Sequence, residues 1–304
     1  KPIRTHYTYS GDAAWHHSDD PISPTKWRTW NQWRGYERVT TTVGDTSSQP
    51  KTKSLSVYLR GMNGDEGRTG KVTVTGVHAK EIADDDPLAG FQREQITYDG
   101  TREVSGAWFE PWSHQSASFD YGSAEYVAKA NYVRTGAEHH WTAITPEKSS
   151  TTTTLRWRTT STAFDEVYGM PTTIEDAGDD DVTGDETCEI TWYARNPQRG
   201  LTSLVSRTQK LATTCAKTGT ADLPVDSARS GDVISDLGTA YDLVGTDAGT
   251  TWNKDARPTR GAATWTGRAW GYTSAREPKW QRGSATTFDT LGRALVVTDA
   301  LGTT

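Results

Sequence analysis

The residues of this sequence whose types could hold a metal are seven histidines and one acidic run. The histidines include the adjacent pairs His16-His17 and His139-His140. A zinc site needs three or four ligands converging on one point, and neighbours on a strand project to opposite faces, so neither pair makes a site by itself. Asp176, Asp179, Asp180, Asp181, Asp185 and Glu186 offer enough oxygen donors for calcium but lack the Asp-x-Asp-x-Asp-Gly spacing of a calcium loop. They read as a solvated surface loop. The expectation is no metal and no cofactor.

Covalent chemistry finds no anchor either. Glycoside hydrolysis needs two carboxyls about 5 to 10 Å apart in a cleft, one of them with a raised pKa. Asp165 and Glu175 lie close enough to face each other across a hairpin, yet nothing around them predicts a cleft. No Gly-x-Ser-x-Gly elbow, His-Glu-x-x-His helix or phosphate-binding glycine loop occurs. The chain is therefore not expected to be an enzyme, and no catalytic residue is assigned.

Two further sets of side chains could do physical work. Trp27, Trp30 and Trp33 recur every three residues and are followed by Tyr36, with Arg28 and Arg34 placed for cation-π contacts. Such a row either stacks on sugar rings or fills the space between sheets, and a chain poor in Leu and Ile favours the interior. Cys188 and Cys215 are the only cysteines. They close one loop if the compartment is oxidising and are otherwise two buried thiols.

The elements that must position these residues are strands. Only 33% of the 304 residues are hydrophobic, but 13 Trp, 12 Tyr and 5 Phe supply bulk, and 49 Thr favour extended backbone. Runs such as Ser54–Arg60, Lys71–Thr75, Thr151–Trp157, Cys188–Tyr193 and Leu201–Val205 alternate or are β-rich, with Gly, Asp, Asn and Pro clusters between them. Amphipathic helical periodicity is nearly absent. The segments 61–70 and 176–186 read as surface loops, and 215–232 as a connection across the surface.

A net charge of -6 without a basic cluster argues against nucleic acid. No apolar run reaches the length of a membrane span. The first residues show neither an initiator Met nor a signal-peptide core, so the expectation is a chain that begins within a longer protein.

Self-similarity is the strongest signal. Residues 286–304 contain Phe288-Asp289-Thr290-Leu291-Gly292-Arg293, then an apolar strand, then Thr298-Asp299-Ala300-Leu301-Gly302. In such a turn Asp bonds its side chain to the backbone, Gly takes positive φ, and the residues between turns form one short strand. A variant at 162–178 runs Phe164-Asp165-Glu166-Val167-Tyr168-Gly169, with one added residue and Met170 in place of Arg. A third begins Tyr241-Asp242-Leu243-Val244-Gly245 and then departs from the pattern. Asp165, Asp242, Asp289 and Asp299 are thus turn formers in stacked units that bury a face only against their neighbours.

These motifs resemble the RHS or YD-repeat family: Tyr or Phe, Asp, two or three variable residues, Gly, often Arg, then a strand ending Thr-Asp-x-x-Gly. More loosely, 27–36, 187–196 and 200–205 resemble the region preceding the repeats in large secreted bacterial RHS proteins. The resemblance implies an all-β fold in which antiparallel β-hairpin repeats form part of a spiralling β-sheet shell. It divides the chain into an irregular β-rich region, 1–160, and a YD-repeat region, 161–304. It also implies a secreted or cell-surface structural protein whose partners are further repeats and a C-terminal toxin or effector domain of the same polypeptide. The family's self-cleaving core and its effector would lie downstream of Thr304. The alternative reading is a surface module that binds cell-wall glycan through exposed Trp and Tyr.

Overall fold

The computed structural model describes residues 3–20, 22–44, 52–122, 127–144, 154–242, 252–253 and 255–304. The protein is nearly all β, with 57% of residues in strands and 6% in helix. It divides into two compact units, Lys1–Ser161 with Asp179–Asp181, and Thr162–Gly178 with Val182–Thr304.

In unit 1 the strands are β1 Thr5–Ser10, β2 Ala14–His17, β3 Trp30–Gly35, β4 Arg38–Val43, β5 Thr52–Tyr58, β6 Thr73–Val74, β7 Ile82–Ala83, β8 Gln92–Asp99, β9 Arg102–Asp120, β10 Val127–Ile144 and β11 Thr154–Phe164. The main antiparallel sheet has the order β1-β4-β5-β8-β9-β10-β11, while β2-β3 and β6-β7 pair separately. Alternation along β5 points Leu55 and Val57 to one face, where Val57, Leu59, Val74 and Leu88 form a buried cluster with Leu55, Ile82, Phe91 and Val133 against it. Trp141 on β10 is buried opposite Gly106 on β9 and Trp157 on β11. A Cβ at Gly106 would lie 2.6 Å from the Trp141 ring, so a side chain there is excluded by the indole.

The segment 61–70, expected as a surface loop, is instead partly interior. Asp84 is fully buried and accepts the N–H groups of Arg60 (2.6 Å), Gly61 (2.8 Å) and Met62 (3.2 Å). Glu94, equally buried, does the same for Val77 (2.5 Å), His78 (2.7 Å) and Ala79 (3.1 Å). Loop backbone without a ladder partner must find acceptors somewhere, and two inward carboxylates provide them.

Unit 2 is a meander. Its strands, β12 Pro171–Asp176, β13 Thr187–Asn196, β14 Leu201–Leu211, β15 Val233–Tyr241, β16 Ala263–Tyr272, β17 Pro278–Phe288 and β18 Ala294–Asp299, pair in sequence order. Its core is aromatic: Ala240, Trp265 and Ala285 are buried, with Trp252 and Trp280 packed on them. Small residues make the room, since a Cβ at Gly238 would lie 2.8 Å from Trp280. Beside this core the buried Asp236 carboxylate accepts from Arg207 Nε (2.8 Å) and Nη2 (2.6 Å), Gln209 Nε2 (3.0 Å) and the Tyr272 hydroxyl (2.6 Å). Trp192 lies 4.5 Å from the Arg207 guanidinium. Four donors around the buried carboxylate offset the cost of taking it out of water. Burial, and then the Asp236 charge, push the Tyr272 hydroxyl well above the usual phenol range.

The acidic run is not simply solvated. Asp180 donates its N–H to Trp157 O (3.0 Å), its side chain accepts from Thr159 Oγ1 (2.9 Å), and Arg156 Nε pairs with Asp179 Oδ2 (2.6 Å). That bonding to β11 is why residues 179–181 belong to unit 1.

Candidate functional site

The repeat signature folds into turns closed by a carboxylate. Phe288 ends β17; Asp289 Oδ1 then accepts from Leu291 N (2.9 Å) and Arg293 N (2.8 Å), and Arg293 Nε donates to Oδ2 (2.6 Å). Gly292 sits at φ +82°. Ten residues later Asp299 Oδ1 accepts from Leu301 N (2.9 Å) and Thr303 N (2.8 Å), with Gly302 at φ +89°. The bonds from Arg293, backbone first and then side chain, hold the Asp289 carboxyl below its ordinary range.

The other two copies reach the same end by longer routes. Phe164 ends β11, Asp165 Oδ1 accepts from Tyr168 N (2.7 Å), and Gly169, at φ +62°, donates its N–H to Asp165 O (2.9 Å). Met170 cannot supply the guanidinium, and Arg195 on β13 does, with Nη2 2.8 Å from Asp165 Oδ2. At the end of β15 the Tyr241 hydroxyl donates to Val205 O (2.8 Å). Asp242 follows at φ +58°, an uncommon conformation for a residue with a side chain. Its Oδ2 accepts from Thr259 N (2.6 Å), Arg260 N (2.8 Å) and Gly261 N (3.1 Å), and its Oδ1 from Ala262 N (2.9 Å). Asp242 therefore closes the base of an expanded excursion rather than a tight turn; Gly245 lies outside the described residues. Arg260 Nη2 in turn donates to Asp289 O (3.2 Å) and Thr290 O (3.0 Å), which ties one turn to another.

Between the last two turns lies an open edge. Among the described residues β18 pairs only with β17, and Leu295, Val296 and Val297 on it are exposed.

Sequence reasoning favoured the interior for the tryptophan row over a ligand surface, and the structure leaves the row exposed. Trp27, Trp30 and Trp33 are 69%, 53% and 50% exposed. Trp33 packs on Trp15 (5.0 Å) and Tyr36 (5.6 Å), Tyr36 stacks on Tyr9 (4.7 Å), and Trp30 meets His17 (4.9 Å). Register shifts that leave Asn31 and Arg34 as extra residues on β3 re-aim its side chains. The row is short of a covering layer because β2-β3 stands as a two-stranded sheet. Arg34 spends its guanidinium on Asp86 (2.8 Å) rather than on a ring.

The remaining candidates are dispersed. His16 Nε2 faces Asp65 (3.5 Å), and His139 stacks on Trp108 (3.7 Å) near Glu110. Asp165 is held by Arg195, while Glu175 Oε2 accepts from Cys215 N (2.5 Å), so both carboxylates serve the fold. Among the described residues no three His, Cys, Asp or Glu side chains gather in a metal-binding group, and no helix is long and apolar enough to cross a membrane. Cys188 and Cys215 form a disulfide with Cα atoms 5.0 Å apart.

Meandering antiparallel strands joined by Asp-capped turns define an RHS-like fold. Two solved structures share it: the crystal structure of TcdB2-TccC3-Cdc42, with a TM-score of 0.59 at 11% identity, and that of TcdB2-TccC3 without its hypervariable C-terminal region, with 0.59 at 10%. Each match covers 98% of this chain but 18% of the other, so the chain spans under a fifth of those proteins' length. At this identity the likeness is one of fold. No family model and no curated protein matches the sequence.

Proposed function

We propose that this chain is a wall segment of a larger secreted RHS-type β-shell that encloses or presents an effector domain carried by the rest of the same polypeptide. The observation that carries the reading is β18: a terminal strand of the sheet with exposed Leu295, Val296 and Val297, set immediately between two Asp-capped turns. A sheet edge of this kind is an aggregation hazard unless another strand covers it. Neither Pro nor charge interrupts the strand interior, although a register shift leaves Leu295 unpaired between Ala294 and Val296, and its turn chemistry repeats. The role is mechanical, resting on strand ladders and turn bonds rather than on catalysis.

The likeness to TcdB2-TccC3 chains supports the reading at the level of fold. The test is limited proteolysis of the parent polypeptide carrying these residues. An effector domain resistant to protease within it, and rapidly cleaved when expressed alone, is the expected result. Equal cleavage in both settings overturns enclosure.

A further inference from the structure

Unit 2 carries an open groove of about 940 Å³ whose lining includes Asp236, Tyr272 and Trp280. That volume is in the range of small-molecule sites. Trp270 stands at the rim, 43% exposed, with Arg268 and Gln281 beside it. We infer that this groove is a binding site for an acidic oligosaccharide, stacked on Trp270 and held through its carboxylate by Arg268.

The far wall is built rather than draped. It consists of the segment expected to be a mere surface connection, and Pro224, Ser227 and Ser230 face the groove from it. Tyr272 N donates to Pro224 O (2.9 Å) and Lys279 Nζ to Val225 O (2.8 Å). Arg276 donates to Ala221 O (3.0 Å) and Thr218 O (2.9 Å). The backbone approaches β16 so closely that a Cβ at Gly271 would lie 2.5 Å from Val225 O. The Cys188–Cys215 disulfide tethers the start of the same segment. A site whose walls are fixed before binding loses little entropy when it is filled.

The chemistry of the rim selects the ligand. Arg268 gives Nε and Nη2 to Gln281 Oε1 (3.2 and 3.1 Å) and has no carboxylate partner among the described residues. The Lys279 ammonium lies 5.2 Å from the Trp270 ring centre and, among the described residues, bonds only a carbonyl. Of the carboxylates on this segment, Asp222 is paired with Arg229, and Asp226, which lines the groove, accepts from Ala228 N (2.9 Å) through Oδ1. Two cations thus flank a half-exposed indole in a protein of net charge -6. An indole face takes the apolar face of a pyranose, and a guanidinium fork takes its carboxylate. A peptide adding itself as a strand has no place here, because β15, β16 and β17 each have a neighbour on both sides.

The test is calorimetric titration of the 304-residue chain with tetragalacturonate, its methyl ester and a hyaluronan tetrasaccharide. At least one acidic sugar is expected to bind, and methyl esterification to abolish binding of tetragalacturonate if that is the one. Arg268→Gln and Trp270→Ala should each weaken binding about tenfold, the loss of one charge-assisted bond or one stacking surface. Both side chains are exposed, so circular dichroism should show the fold intact. Trp33→Ala, on the aromatic row of unit 1, should change nothing. Absence of binding by both acidic sugars at millimolar concentration overturns the inference, as does binding that ignores both groove substitutions or is lost with Trp33→Ala.

Discussion

Arg195 reaches Asp165 from 30 residues away, its Nη2 2.8 Å from Oδ2, with its guanidinium between the rings of Tyr168 (4.3 Å) and Tyr193 (4.6 Å). In the last repeat Arg293 makes the equivalent bond to Asp289 from four residues away. One copy of the turn is closed locally and the other by a neighbouring strand.

Asp165→Ala is therefore expected to destabilise unit 2 by about 2 kcal/mol, the worth of a bond between charged groups plus an unsatisfied Tyr168 N–H. Arg195→Met should cost somewhat less, since it keeps part of the contact with the tyrosine rings. Urea denaturation of the two single variants and the double variant gives the coupling. Strict additivity would show that the pair does not act as one.

The disulfide joins cysteines 27 residues apart. Chain-entropy reasoning gives about 3.5 kcal/mol of stability for a loop of that length. Unfolding with and without dithiothreitol should show a lowered midpoint for unit 2 on reduction, and Cys188→Ser with Cys215→Ser should reproduce it. An unchanged midpoint would contradict a structural role for the bond.

Acid should loosen the Asp242 closure. Burial alone pushes its carboxyl up, but the combined N–H bonds from Arg260, Gly261, Ala262 and Thr259 outweigh it and hold the pKa below the carboxylate range. A folded pKa below the unfolded one contributes stability that is complete above about pH 4 and lost as pH falls through the folded value. Asp242→Asn should lower stability at neutral pH and flatten the acid limb of the stability profile. A profile with unchanged slope would count against the closure.

Truncating the exposed row should be cheap. Trp33→Ala is expected to cost under about 1 kcal/mol, whereas Trp265→Ala, in the core of unit 2, should cost about 3 to 5 kcal/mol. Denaturant midpoints decide it. Equal losses would mean that the row is covered in solution.

Self-association should report on the open edge. Sedimentation of the isolated chain is expected to show concentration-dependent oligomers that diminish in Val297→Lys, because a charge on an edge strand opposes pairing. Oligomers that persist unchanged would place the contact elsewhere.

How much of this was legible in the residues depends on distance along the chain. The β-rich composition, the strand runs and the Asp-capped turns of Asp289 and Asp299 could be read directly, because each carboxylate bonds backbone two and four residues on. Geometry of that kind is settled within five residues. Arg195 as the partner of Asp165, and the N–H groups 17 to 20 residues beyond Asp242, carry no local mark.

Burial was the property that sequence alone did not decide. A tryptophan row reads the same whether a second layer covers it or not, and the two-stranded β2-β3 leaves it open. Asp84 and Glu94 look like surface carboxylates among many, and only the folding of loop backbone around them turns both inward. The two cysteines could be counted but not joined until the short 3-10 helix Cys215–Thr220 was seen to bring one beside β13. Local turn chemistry is written in neighbouring residues; what faces water depends on which distant strands pack against it, and that is a property of the assembled fold.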